Sequence, residues 1–191
     1  QVLLAVIAGM YAVYHGPKGL RRIAERIHGL TKIVKLGLEK LGFEIENDTY
    51  FDTLTIKVDS DEIRETIRGL ALEKEMNFRY FNDNQIGISL DEVKDLADVQ
   101  QVLNIFAEIK GKNIDNFAKE YQDRIELEMP EELSRETSYM EHPVFNLYHS
   151  EHEMLRYLKK LENKDLSLVH SMISLRSEEH TSELQSPSAI S

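Results

Sequence analysis

Residues 2–14 carry no charged side chain and are apolar at nearly every position, which predicts a helix buried on most of its sides. Gly16 and Pro17 then reset the chain, with Pro17 suited to the first turn of a new helix. From there Leu20, Ile23, Ala24, Ile27, Thr31, Val34, Leu38 and Leu41 recur at helical spacing and mark one face of a long amphipathic helix. Gly42 is its natural stop. Gly29 and Gly37 inside it each cost about 1 kcal/mol relative to alanine, so packing against other elements must hold it.

The period then changes. Between residues 51 and 58, Leu54, Ile56 and Val58 alternate with Thr53, Thr55 and Lys57, the signature of a half-buried strand. Asp59 and Glu62 suit the start of a helix whose buried side is Ile63, Ile67 and Leu70. Residues 78–81 and 85–90 form two strands of a hairpin. Its turn is Asn82-Asp83-Asn84, residue types that tolerate left-handed backbone angles. A further helix turns Leu96, Val99, Leu103, Phe106 and Ile109 inward and ends at Gly111. The order helix, strand, helix, strand, strand, helix predicts an α+β fold with helices packed on one small sheet.

Residues 113–125 have room for one more helix. Residues 126–141 are acidic and contain Pro130, as a surface linker would. Next, His142-Pro143 makes a turn. Ser150 and Glu153 have capping-box spacing, Leu155, Leu158 and Leu161 follow at helical spacing, and Asn163 suits a left-handed stop. Residues 166–175 are apolar enough for a buried strand or an extended lead-in, and are too short to decide between them. Residues 176–191 show no period and few apolar positions, a composition that predicts disorder. The chain thus divides into helices at 1–41, a small α+β domain at 42–125, a linker at 126–141, a helical segment at 142–175 and a tail at 176–191.

Composition narrows the partners. The chain has 191 residues and a formal charge of −11, which argues against nucleic acid or an anionic membrane as the main partner. The outer face of the long helix does carry Lys18, Arg21, Arg22, Arg26, Lys32, Lys35 and Lys40. That row suits either a nucleic-acid or phosphate surface or a solvated helix side. The absence of interleaved aromatic residues favours the second. No cysteine is present, so neither disulfides nor thiolate chemistry enters. The run 2–14 is too short to span a bilayer and has no basic region before it. The chain lacks a starting Met, so any N-terminal address is not in view.

Two stretches carry a resemblance. HPVFNLYHSEHEMLRYLKKLENKDLSLVHSMISL, residues 142–175, resembles the start of the second half of glycine dehydrogenase (decarboxylating), the P-protein of the glycine cleavage system. Residues 1–31, with MYAVYHGPKGLRRIAERIHGLT, resemble the same family near the end of its first half. The two matches lie in the family's order and, with the stretch between them, cover residues 1–175. The resemblance implies that residues 42–125 are the small C-terminal domain of a fold-type I pyridoxal-phosphate transferase-like half, followed by a linker and a helical lead-in to the second half. RSEEHTSELQS in the tail resembles a translated sequencing-library adapter. It stands where the family continues with Gly-Ser-Cys-Thr-Met-Lys. The expectation is a truncated gene model whose residues 176–191 are artefactual.

The chemistry implied by the resemblance is decarboxylation of glycine on pyridoxal phosphate, with the aminomethyl group passing to the lipoyl arm of the H-protein. A dimer is implied when the protein is full-length, in the cytoplasm of a bacterium or the mitochondrial matrix of a eukaryote. Such chemistry needs a lysine to anchor the cofactor. In the family that lysine stands in a His-Lys pair well into the second half. This chain has no His-Lys pair, its last lysine is Lys164, and it has no glycine-rich phosphate loop. No catalytic or cofactor-binding residue is therefore expected here, and the fragment is expected to be inactive alone. His170 and Ser171, which lead towards the family's active-site loop, are the candidates for site-adjacent positions.

His142, His149, His152 and Glu153, with His170, suggest a metal site, but a zinc site needs three or four converging ligands, and caps and helix-end partners explain the same residues. Glu151 and Glu153 lack the burial that would suit acid–base work. Tyr11, Tyr14 and His15 form an aromatic cluster, either lining a channel or packing a helix end. Two alternatives stand beside the enzyme fragment: a self-standing, non-enzymatic α+β interaction domain, and a short enzyme using the histidines. Exposed apolar surface at residues 1–15 and 166–175 would favour the fragment.

Overall fold

The computed structural model describes residues 1–122, 133–167, 169 and 170. It divides into two compact units, Lys18–Thr137 and Gln1–Pro17 with Ser138–Ser191. One long element, α1, runs Val2–Leu41 through both, with a non-helical break at Gly16.

The unit Lys18–Thr137 holds the small α+β fold. After α1 come β1 (Glu44–Ile45), β2 (Thr53–Lys57), α2 (Asp61–Glu73), β3 (Arg79–Tyr80), β4 (Gln85–Ser89), α3 (Leu96–Lys110) and α4 (Phe117–Tyr121). The sheet is antiparallel throughout, in the order β1-β2-β4-β3. Leu54 pairs with Ile88 and Ile56 with Ile86, so the apolar alternation lands on one face. That face joins Val34, Leu38 and Leu41 of α1, Ile67 of α2, and Leu103 and Phe106 of α3 in one continuous core. Thr53, Lys57 and Ser89 point to the exposed side. One face covered and one wet is the expected economy of a helix-on-sheet layer.

Close packing explains the glycine inside α1. A Cβ on Gly37 would stand 2.5 Å from a Leu103 methyl carbon, so the glycine lets α1 and α3 approach. Gly42 ends α1 with φ 93°, and Gly111 ends α3 in the left-handed region, as both positions in the sequence suggest. The hairpin turn is also as expected, with Asn84 at φ 54°.

Some details differ from expectation. The N-cap of α2 is Ser60, whose hydroxyl accepts from the Ile63 N–H at 3.3 Å, not Asp59. The α3 cap is a box of Asp95 and Asp98. Strand β1 is two residues long, below what alternation can reveal. It is extended by a side chain: Asn47 accepts from the Thr55 N–H at 2.9 Å and donates to the Thr53 carbonyl at 3.0 Å. Asn47 thereby continues the ladder along β2 where no strand does. The helix expected within 113–125 is the short α4. Gln100 holds it, donating to the Ile114 carbonyl and accepting from the Ala118 N–H.

The unit Gln1–Pro17 with residues 138 onward contains the first part of α1, a 3-10 turn at Pro143–Asn146 and α5 (Glu151–Glu162). The capping box of α5 is present as predicted. Asn163 is right-handed, at φ −69°, not left-handed. The chain winds through further turns at Lys164 and Asp165 and needs no reversal there.

The expected burial of residues 2–14 is not found. Val2, Leu3, Leu4, Val6 and Ile7 are 51–79% exposed, and Val13 is the one buried hydrophobic residue among those described in this unit. Leu155, Leu158, Leu166 and Val169 are exposed too. The first part of the expected linker, residues 126–132, the greater part of the apolar run 166–175 and the whole tail 176–191 lie outside the described residues. Among the described residues, no helix is long and apolar enough to cross a membrane.

Candidate functional site

His170 lies in the turn that follows α5, its N–H donating to the Ser167 carbonyl at 3.0 Å. Its Nε2 meets Asn163 Oδ1 at 3.1 Å. Ser167, itself buried, donates its hydroxyl to Glu162 at 2.8 Å, and Lys159 donates to the same carboxylate at 2.9 Å. Lys159 first, then Ser167, hold the Glu162 carboxyl below the usual range. The knot fixes the chain leaving α5. Ser171 lies outside the described residues.

The histidine and glutamate constellation is dispersed over structural tasks. His142 Nδ1 accepts from the Val144 N–H at 3.1 Å and caps the 3-10 turn. His149 Nδ1 lies 2.7 Å from the Tyr14 carbonyl oxygen. Glu153 accepts from the Ser150 hydroxyl and N–H in the capping box, chiefly the hydroxyl, which holds its carboxyl below the ordinary range. A general acid at neutral pH needs the opposite shift. Among the described residues no group of three His, Cys, Asp or Glu could hold a metal. Tyr11 and Tyr14 pack on His15, with ring centroids 4.3 and 5.2 Å away.

In the unit Lys18–Thr137, a cleft of about 560 Å³ is lined by Arg26, Leu30 and Ile33 of α1, Asp95 and Leu96 at the start of α3, and Gln122, among others. Two of its polar groups are already engaged: Arg26 donates to the Lys94 carbonyl at 2.7 Å, and Asp95 caps α3. The basic row of α1 likewise meets local partners. Arg21 pairs with Glu25, Lys35 pairs with Glu39 and lies over Tyr50, and Lys40 lies over Phe117. This is how a solvated helix side is built.

One histidine with no distinguishing neighbours along the chain is buried. His28 stacks on Phe51 at 5.7 Å, with Nδ1 3.0 Å from the Phe51 carbonyl. It ties the β1–β2 loop to α1. A lone histidine on a helix carries no signal of this, because its partners are a carbonyl and a ring from a loop.

The family model for the glycine cleavage system P-protein matches residues 1–106. The chain belongs to this family. The glycine dehydrogenase (decarboxylating) of Bacteroides fragilis is 45% identical over 177 residues. That of Idiomarina loihiensis is 49% identical over 178 residues, and the mitochondrial glycine dehydrogenase (decarboxylating) 1 of Arabidopsis thaliana 46% over 178. Each match covers 93% of this chain but only 17–18% of the relative's own length.

Proposed function

We propose that this chain is a portion of a pyridoxal-phosphate-dependent glycine decarboxylase and is inactive alone. The carrying observation is the pairing of high identity along nearly the whole chain with coverage of under a fifth of each relative. In this reading Lys18–Thr137 contributes the small domain of a fold-type I half, and residues 142–175 lead into the second half. The full-length protein decarboxylates glycine, delivers the aminomethyl group to the lipoylated H-protein and works as a dimer. Its place is the cytoplasm in a bacterium or the mitochondrial matrix in a eukaryote.

The cofactor supplies an electron sink for the carbanion left when carbon dioxide departs. The residues described do not fit it. The anchoring lysine must present a free amine inside an enclosed pocket. Lys35 and Lys110 are the most covered lysines among the ion pairs, and they reach Glu39 and Asp59 at 3.7 and 3.2 Å. Lys112 donates to the Leu41 carbonyl at 2.9 Å. These amines fasten the α+β unit together. No step of the reaction is therefore assigned to a residue of this chain.

Two measurements test the proposal. Borohydride reduction after mixing with pyridoxal phosphate should leave no single lysine stoichiometrically labelled. One such lysine would overturn the inactivity of this portion. Replacing the matching stretch of the full-length Idiomarina enzyme with residues 1–175 of this chain should preserve glycine decarboxylation. A folded but inactive chimera would overturn the assignment.

A further inference from the structure

We infer that the segment from Tyr139 to His149 is a strap latched over the break at Gly16, and that this latch fixes the course of residues 143–162. The inference stands on geometry within one unit and does not depend on the reaction proposed above.

Gly16 has φ 61° and ψ 179°, a combination open in practice only to glycine. It is buried. A Cβ placed there would stand 2.5 Å from the Phe145 carbonyl oxygen and 2.7 Å from His149 Cε1. The strap therefore lies against the bare Cα. The break also interrupts the helical hydrogen-bond ladder, which leaves carbonyls in need of outside donors. The strap supplies hydrogen bonds on both sides of the break. His149 Nδ1 reaches the Tyr14 carbonyl oxygen at 2.7 Å, and the Tyr139 hydroxyl donates to the Pro17 carbonyl at 2.7 Å. Because a carbonyl only accepts, the His149 ring carries its proton on Nδ1.

Val13 is the one fully buried hydrophobic residue described in this unit, and Val144 and Phe145 are half-buried. The two hydrogen bonds and the close approach at Gly16 give the strap its directional contacts. Opening them releases the 3-10 turn and α5 together.

Hydrogen exchange on the whole 191-residue chain tests this, read at the amides of Phe145 and Met154, which are bonded to His142 and Ser150. Gly16→Ala should speed exchange at Phe145 and Met154 by about tenfold or more, while the amides of β2 and β4 keep their rates. Unchanged exchange overturns the latch. If Gly16→Ala unfolds the chain, Tyr139→Phe decides: exchange at Phe145 rises several-fold over unchanged strands, and no rise overturns the latch. Nitrogen NMR of the neutral ring should find the His149 proton on Nδ1. A proton on Nε2 would overturn the assigned contact.

Discussion

Glu153 shows how much one side chain's partners decide. It is fully exposed, yet the Ser150 hydroxyl, ahead of the backbone N–H groups, draws its carboxyl below the ordinary glutamate value of 4.5. A depressed folded-state value means that the cap's contribution is complete above the unfolded value and is lost as pH falls through the folded one. Helix α5 should therefore loosen at its first turn only in acid below that ordinary value. Carbon NMR titration of Glu153 should show the depressed midpoint, and Ser150→Ala should move it back upward. This box was legible because Ser-x-x-Glu is a local code. The bonds of Asn47 and His28 were not, because their partners come from segments whose approach only the fold determines.

At the scale of elements, glycines in helices separate local preference from packing. In α2, a Cβ on Gly69 would meet nothing within 4 Å, so Gly69→Ala should stabilise the fold by about 0.5–1 kcal/mol through helix propensity. In α1, a Cβ on Gly37 would press on Leu103, which is wholly buried. Overpacking costs about 1–3 kcal/mol, so Gly37→Ala should destabilise on balance despite the same gain in propensity. Urea unfolding at constant slope would show midpoints moving in opposite directions. The order of helices and longer strands was legible because periods of 3.6 and 2 survive in the sequence. Strand β1 was not, since two residues hold no period, nor was the Ser60 cap, displaced by one residue from Asp59 among several polar neighbours.

At the scale of the molecule, the distribution of the core sets what can stand alone. The apolar cluster runs from Leu30 to Ala118, wholly inside the unit Lys18–Thr137. The other unit buries Val13 and leaves Val2, Leu3 and Leu4 in solvent. The sequence could mark residues 2–14 as a helix that wants burial, but not whether a partner was there to bury it, because apolar periodicity reports a helix's demand for cover and not its supply. Folding cooperativity follows the core. A protein of residues 18–137 should unfold in one thermal transition, with a midpoint within a few degrees of the main transition of the whole chain. Every residue of the apolar cluster lies within residues 18–137, so removing residues 1–17 takes none of that cluster away. A broad, non-cooperative melt of residues 18–137 would show that the flanking unit supplies stability that its exposed side chains give no sign of. A single sharp transition would place the fold's stability within the α+β unit.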